Sequence, residues 1–461
     1  MKKAMWKKSL AIVLCLTMLL MTACGKQPSE EGTTAAPTPT KGTEAGKNDE
    51  TQAPGTEAVD YPEYVTEPIT IEFWHTRGNG VNGENMTAMI DEFNATNEYG
   101  ITVKGVFQGS ATDLLSKVMA SSTSGDNPVL TMVYSGSVEP LADAGLLVDM
   151  TGYMERDGFD INNIPEGLLY YACHEEGTVT SLPYVISSTL LFYNKNLVEK
   201  VPSTIQELYA MAEEIYKEKG IPGWGMIIGD TGQFMRPIMI SLGANGLVTE
   251  DGMTADALET GEMLKVLADW RKGIDEGYIA QPDVTNETAT MRNLFATGQL
   301  AMMPDSSGGM KNVMNLCAGN NTEMAVAPFV GYDGYCASIN GGNLAMIGGS
   351  STQQEQAAAW EFIKFLLSDE NMVRLHKETG YLPATKSAAE SAECQAFWEE
   401  FPGFKVAFNQ LGYAKCNEWS LYGAEWKAKA KEAVQYVLIT KEMTPEDAIE
   451  FLKGQVSVVF P

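Results

Sequence analysis

The sequence predicts an α/β globule of two lobes behind an exported amino terminus. Three observations carry this. Strand-like and helix-like periods alternate from Ile69 onward, the composition is globular at 44% hydrophobic and 9% aromatic, and some 390 residues follow the low-complexity region. A chain of that length exceeds what one hydrophobic core usually serves, so two lobes are the expectation.

Taken in chain order, residues 1–23 read as a secretory signal: Lys2, Lys3, Lys7 and Lys8 precede an apolar run, and Thr22-Ala23 precede Cys24. The apolar run is too short to span a bilayer core of roughly 30 Å as a permanent helix. Small residues just before a cysteine resemble the lipobox of bacterial lipoproteins, so Cys24 is the expected lipidation site and new first residue. An ordinary signal with an incidental cysteine is the alternative. Residues 24–68 then form the lipidated cysteine and a tether, rich in Gly, Ser, Thr, Ala, Pro and Glu without apolar periodicity. Such a segment cannot repay its ordering entropy, and its reach at random-coil scaling is on the order of 35 Å.

Residues 69–74 (ITIEFW) alternate like a strand, 85–93 have helical spacing, 101–107 alternate again, 112–119 are helical, and 129–133 form a short apolar run. This order predicts a largely parallel sheet. Further helices are legible at 205–216, 257–271, 354–367, 424–438 and 445–452, the last opened by Thr444 as N-cap with Pro445 behind it.

Lys+Arg number 32 against Asp+Glu 60, a net charge of −28, which disfavours a nucleic-acid or anionic-membrane binder. Removing residues 1–23 leaves 28 bases against 60 acids, a net −32. Gly78-Asn-Gly-Val-Asn-Gly83 matches G-x-G-x-x-G after a strand. The next strand, however, ends at Phe107-Gln-Gly-Ser110 without the ribose-binding acid of a dinucleotide site, so a flexible loop at a strand's carboxyl end is the reading. His75, His174 and His376 show no metal-ligand spacing, and no nucleophile elbow, zinc helix or Walker loop is present, so neither cofactor nor metal is expected. Cys173, Cys317, Cys336, Cys394 and Cys416 read mostly as buried thiols, with a bridge such as Cys317 to Cys336 left open.

The segment Ser181-Leu-Pro-Tyr-Val-Ile-Ser-Ser-Thr-Leu-Leu-Phe-Tyr-Asn-Lys-Asn196, followed by Val201-Pro-Ser-Thr-Ile-Gln-Glu-Leu-Tyr209, resembles the signature of bacterial extracellular solute-binding proteins, the carbohydrate-type receptors of ABC importers. Phe295-Ala-Thr-Gly-Gln-Leu-Ala-Met302 and Gly341-Gly-Asn-Leu-Ala-Met-Ile-Gly-Gly349 follow in the family's order. Phe73-Trp-His75, Asp305-Ser-Ser-Gly308 and the segment from His376 to Lys386 are most similar to the glycerol-3-phosphate-binding type. The resemblance implies a two-lobe periplasmic-binding-protein-like fold of type II, with three crossovers and ligand held in the cleft between lobes. The crossovers fall near residues 183–186, 324–327 and 375–381. Lobe one is then 69–184 plus 327–374, and lobe two 185–326 plus 375–461.

The resemblance carries ligand contacts onto Trp74, His75, Ser135, Ser187, Asp230, Gln233, Asp305, Ser306, Ser307, Gly341, Gly342, Tyr381 and Trp419. Several depart from the subfamily. Its tyrosine after the second strand falls on Ala111, its acid after the third on Ser135, its paired tryptophans near Asp230 and Gln233, and its phosphate-binding arginine near Leu421. A phosphate without a fixed guanidinium loses charge-assisted bonds, and only Arg77 or Arg236 could substitute, so a neutral sugar or oligosaccharide is the expected ligand. Trp74, Tyr134, Tyr184, Trp224, Phe234, Trp419 and Tyr422 are candidate stacking surfaces, although ring burial in a core is the commoner use.

The expected function is capture without conversion. The chain would be a monomeric, lipid-anchored subunit on the extracytoplasmic face of the cell membrane, delivering its solute to ABC permease subunits with a cytoplasmic ATPase. A glycerol-3-phosphate or glycerophosphodiester receptor is the alternative; an extracellular carbohydrate-active enzyme and an adhesin or sensory binding protein stay open. Cys24→Ser is expected to release the protein into the medium or leave it unprocessed, and unchanged partitioning of that variant into a detergent phase would contradict the anchor.

Overall fold

The computed structural model describes residues 62–78, 80–171, 177–229, 231–249, 255, 257–283, 287–416, 420 and 422–460. Cys24, Cys173, Asp230, Trp419 and Leu421 lie outside the described residues, as does the side chain of Ser135.

The first third is a strand-helix alternation: β1 (Thr70–His75), α1 (Gly80–Thr96), β2 (Thr102–Phe107), α2 (Ala111–Ser124), β3 (Leu130–Val133), α3 (Ser135–Asp143) and α4 (Thr151–Asp157). Ile71, Phe73 and His75 bury one face of β1, as its period of two requires. A capping box opens α2: the Ser110 hydroxyl accepts from the Asp113 N–H at 3.1 Å and the Asp113 carboxylate accepts from the Ser110 N–H at 3.0 Å.

The long strand β4 (Leu182–Asn194) follows, then α5 (Ile205–Lys219), α6 (Thr231–Phe234), α7 (Arg236–Ile240), α8 (Ala257–Thr260), α9 (Glu262–Glu276) and α10 (Glu287–Ala296). Next come β5 (Met302–Ser306), α11 (Met310–Ala318), β6 (Met324–Pro328), β7 (Val330–Gly331), β8 (Gly334–Tyr335) and β9 (Ser338–Met346). The chain closes with α12 (Gln353–Leu366), α13 (Asp369–Thr379), α14 (Lys386–Glu390), α15 (Ala392–Glu400), α16 (Pro402–Asn409), β10 (Lys415–Cys416), α17 (Gly423–Leu438) and α18 (Pro445–Val459).

The main sheet runs β2-β1-β3-β9-β4-β5, with β10 on β9 and β6 on β4. It is mixed, which corrects the largely parallel expectation. β1 pairs in parallel with β2 and β3, but β9 meets β3 and β4 antiparallel, and β4 meets β5 and β6 antiparallel. A single crossover helix enforces parallel pairing between the strands it joins; β4, β5 and β9 are reached through longer excursions that impose no such direction.

Three further expectations change. The G-x-G-x-x-G stretch is half helix, because α1 begins at Gly80, and a Cβ on Gly83 would lie 2.4 Å from the Gly78 carbonyl oxygen. The helix read over 257–271 is two, broken at Gly261, whose φ of 92° is left-handed. The tether read through 68 ends earlier. Arg156 donates to the carbonyls of Pro62 and Glu63 and stacks over the Tyr64 ring, and Thr66 bonds to Gln354, so these residues lie against the body. Cys317, Cys336 and Cys394 are buried free thiols, and burial pushes Cys317 and Cys394 up to about 11.

The core divides into two apolar clusters. One gathers Ile71, Phe73 and Phe93 with Trp360, Phe362 and the helices α13, α15 and α16; the other gathers Leu208, Trp224 and Trp270 with Trp426, Val434 and Leu452. Residues 375–407, which the sequence reading assigns to lobe two, bury their apolar side chains with the first cluster.

β4 belongs to both halves. Leu182 to Ser188 pair with β9, and from Thr189 onward the partners are β5 and β6. Where the partners change, the Gln410 amide donates to the Ser188 hydroxyl at 2.9 Å and to the Thr189 carbonyl at 2.8 Å, while its oxygen accepts from the Phe329 N–H at 3.0 Å. The Ser307 hydroxyl accepts from the Ser188 N–H at 3.2 Å, and the Thr189 hydroxyl donates to the Gln233 carbonyl at 2.9 Å. All of these side chains are buried, so each bond satisfies a group that would otherwise cost about 1–3 kcal/mol.

Candidate functional site

The carboxyl ends of β1, β2 and β3 release three loops toward one side of the sheet, the position where ligands of open α/β sheets bind. A cavity of about 520 Å³ lies there. Ser110, Ala111 and Thr112 at the start of α2, Tyr134, and Gly136 and Ser137 at the start of α3 form one wall; Gly229, Thr231 and the first two turns of α17, with Lys427 and Lys431, form the other. Asn340 of β9 also lines it. The walls draw on elements of the two different apolar clusters. The first turn of a helix presents backbone N–H groups and a positive pole, so this cavity is furnished for oxygen-rich ligands.

Beside Tyr134 sits a polar cluster. Arg77, two residues beyond β1, donates to the hydroxyls of Thr76 (2.8 Å), Tyr134 (2.9 Å) and Tyr381, and its guanidinium lies 5.4 Å from the Tyr381 ring centroid. Asn82 donates to the Gly308 carbonyl at 3.3 Å and reaches the Tyr381 hydroxyl at 3.5 Å. Burial works against the guanidinium's charge, and its contacts with Tyr134 and Tyr381 more than offset this, so Arg77 stays cationic. Burial pushes the Tyr381 phenol up, with Arg77 pulling the other way.

Of the sequence-predicted residues, Ser187, Gln233, Ser306, Ser307, Gly341, Gly342 and Tyr381 gather along β4, β9 and the turn after β5. The Ser187 hydroxyl donates to the Asn340 carbonyl at 3.1 Å, and the Asn340 amide donates to the Gln233 side chain at 3.4 Å. Ser306 caps the turn over Ser307–Gly309 by accepting from the Gly308 N–H at 3.2 Å. The space left by Gly341 and Gly342 is used by the protein: a Cβ at Gly341 would lie 2.4 Å from the Val185 carbonyl, and one at Gly342 would lie 2.7 Å from Met132 and 3.1 Å from the Tyr134 ring.

Others have structural partners. Asp305 is buried in a bidentate pair with Arg292 at 2.7 and 2.9 Å. His75 is buried on the core face of β1, and burial, then Arg77, holds it down at about 4. Trp74 faces the other way, and its indole donates to Glu72 at 2.9 Å. Among the stacking candidates, Tyr184, Trp224 and Phe234 are core residues, Tyr422 packs on Phe460, and Tyr134 lines the cavity.

Sequence reasoning missed Asn82, Asn340 and Gln410. Asn340 directly precedes the Gly-Gly pair and Asn82 sits inside the G-x-G-x-x-G stretch, so both were within reach of those motifs; Gln410 carried no local signal. It also missed the role of His376. This buried imidazole accepts from the Trp398 indole at Nε2 (2.8 Å), which fixes the proton on Nδ1 for the Tyr381 carbonyl at 2.7 Å. Phe397, Trp398 and Phe404 stand edge-on around it, so Tyr381 is held from behind by a neutral histidine.

The chain matches the family model of the bacterial extracellular solute-binding proteins over residues 88–403, and it belongs to that family. Among characterised relatives it is similar to the sn-glycerol-3-phosphate-binding periplasmic protein UgpB of Brucella melitensis, 28% identical over 361 residues, 74% of this chain and 80% of the relative. The Rhizobium meliloti protein of the same name is 26% identical over 359 residues, 74% of this chain and 81% of the relative. Its fold is that of UgpB from Mycobacterium tuberculosis in complex with glycerophosphocholine (TM-score 0.74, 19% identity, 86% of this chain, 98% of the other). It is equally that of the GacH receptor of Streptomyces glaucescens, solved unliganded and with acarbose (TM-score 0.73, 22% identity, 85% and 98%). Among the described residues no helix is long and apolar enough to cross a membrane.

The His376 environment sets a pH dependence. Burial first of all lowers its pKa from 6.5 to about 4, so its contribution to stability is complete above pH 6.5 and is lost as pH falls toward 4. The loss should amount to about 3 kcal/mol for this group, read from denaturant unfolding at pH 7, 5 and 4. A His376 imidazole titrating near 6.5 by NMR would contradict it.

Proposed function

We propose that this protein is the extracytoplasmic binding subunit of an ABC importer, anchored through Cys24, that captures a sugar or oligosaccharide and delivers it to the permease. The observation that carries this reading is the cavity itself. Its walls draw on elements of the two apolar clusters, and five hydroxyls, the Asn340 amide and helix amino termini converge there, the donor and acceptor set a hydroxyl-rich solute needs. In this reading two lobes meet along β4, and its Ser188–Thr189 joint is the pivot between them. Ser187, Gln233, Ser306 and Tyr381 sit beside that pivot, where closure would bring them to the ligand. Asp230, Trp419 and Ser135 remain proposed contacts.

A second reading, a glycerol-3-phosphate or glycerophosphodiester receptor, is favoured by the names of the characterised relatives. Against it stand Ala111 on the cavity wall and leucine at position 421, where the glycerol-3-phosphate-binding type is expected to carry a tyrosine and an arginine.

A thermal-shift screen over sugars, oligosaccharides, polyols and glycerol phosphates separates the readings, because a ligand at 100 times its Kd stabilises by about 2.7 kcal/mol. Saccharides are expected to give the shifts, and a shift confined to glycerol phosphates would overturn the first reading. Tyr381→Ala should weaken the best saccharide by about 1–3 kcal/mol in calorimetry, with unchanged affinity as the contrary result.

A further inference from the structure

We propose that the solute carries an oxyanion, making it an acidic saccharide, and that Arg77 with Tyr134 and Tyr381 reads that group. The inference rests on the saccharide reading above and narrows it.

It starts from a contrast among the arginines. Arg156 holds Asp157, Arg271 holds Asp275, Arg292 holds Asp305 and Arg374 holds Glu92 and Glu378. Arg77 holds no carboxylate among the described residues; its partners are the hydroxyls of Thr76, Tyr134 and Tyr381. In a chain with 60 acids against 32 bases, a half-buried guanidinium held by hydroxyls alone stands apart from those four. Hydroxyls satisfy its N–H groups and leave its charge uncompensated, and a charge taken out of water is costly until an opposite charge meets it.

The partners also define what can complete the site. A phenol that accepts from a guanidinium keeps its own proton to donate. The Tyr134 hydroxyl also meets the Thr76 hydroxyl, which itself accepts from Arg77; with Thr76 as the donor of that contact, Tyr134 and Tyr381 each pass one O–H onward, polarised by the cation behind it. The Tyr134 side chain lies on the cavity wall, and Lys431 lines the wall opposite, so an anion seated there meets positive charge from both halves. Carboxylate and phosphate share this chemistry. A uronate and a sugar phosphate are the two sources, and both differ from a neutral sugar in the property Arg77 would read.

The test is calorimetry of the full mature protein at two salt concentrations with matched probes: glucose, glucuronate and glucose 6-phosphate, then α-1,4-galactobiose and α-1,4-digalacturonate, with glycerol 3-phosphate as the non-saccharide arm. An acidic member is expected to bind at least about tenfold tighter than its neutral counterpart, with the preference shrinking at high salt. Arg77→Gln should bring the acidic-to-neutral ratio to within about threefold, and Tyr134→Phe, which keeps the ring and removes the O–H, should move it the same way. Equal affinity for neutral and acidic members overturns the proposal and leaves the saccharide reading standing. The same holds for an Arg77→Gln loss shared equally by both classes, which is what a merely structural brace would give. Binding of glycerol 3-phosphate alone overturns both. Should Arg77→Gln fail to fold, Tyr134→Phe and the wild-type salt dependence decide the question.

Discussion

The architecture depends on a single strand being shared. β4 is 13 residues long and buried along its length except at Tyr193, and it changes partners in its middle, from β9 to β5 and β6. A strand buried on both faces must have its polar groups paired, and β4 places Ser187, Ser188 and Thr189 at that midpoint. Their partners arrive from four distant segments: Gln233 from α6, Ser307 from the turn after β5, Asn340 from β9, and Gln410. The first apolar cluster runs across this midpoint, taking in Leu182 to Ile186 before it and Leu190, Phe192 and Met303 after it, and the second meets β4 at Leu191. In the proposed closure the hydrogen bonds at this midpoint would re-form after a modest rotation more readily than interdigitated side chains do.

The cavity inherits its character from the same arrangement. Parallel strands β1, β2 and β3 point their carboxyl ends to one side, and the helices that follow β2 and β3 begin there. α17 approaches from the other half, close enough that a Cβ on Gly136 would lie 3.7 Å from the Ala424 side chain. Helix amino termini are therefore gathered on one volume by topology alone, before any side chain is chosen. The side chains then set selectivity, and the His376 cage behind Tyr381 holds one of them in a fixed place without contributing charge of its own.

What the sequence disclosed follows from what is local. The alternation over β1 and β2, the Thr444 cap of α18 and the signature around Ser181 to Asn196 were all readable because each rests on residues close in the chain. The direction of β9 and β5 was not, because it depends on excursions whose path no local period records. The residues gathered near β4 were legible one by one through the family pattern, yet the pattern could not show that Asp305 is committed to Arg292 or that Gly342 makes room for the Tyr134 ring. In the sequence Arg77 is one of two arginines that could stand in for the missing one. Its significance came from what surrounds it: the hydroxyls of Tyr134 and Tyr381, brought from 57 and 304 residues away.

The account stands or falls on movement about the β4 joint, and small-angle scattering of the mature protein, with and without a saturating saccharide ligand chosen by thermal shift, measures it directly. Closure of two lobes on the cavity predicts a smaller radius of gyration in the bound state. Superimposable curves, with saturation established independently by calorimetry, would contradict it.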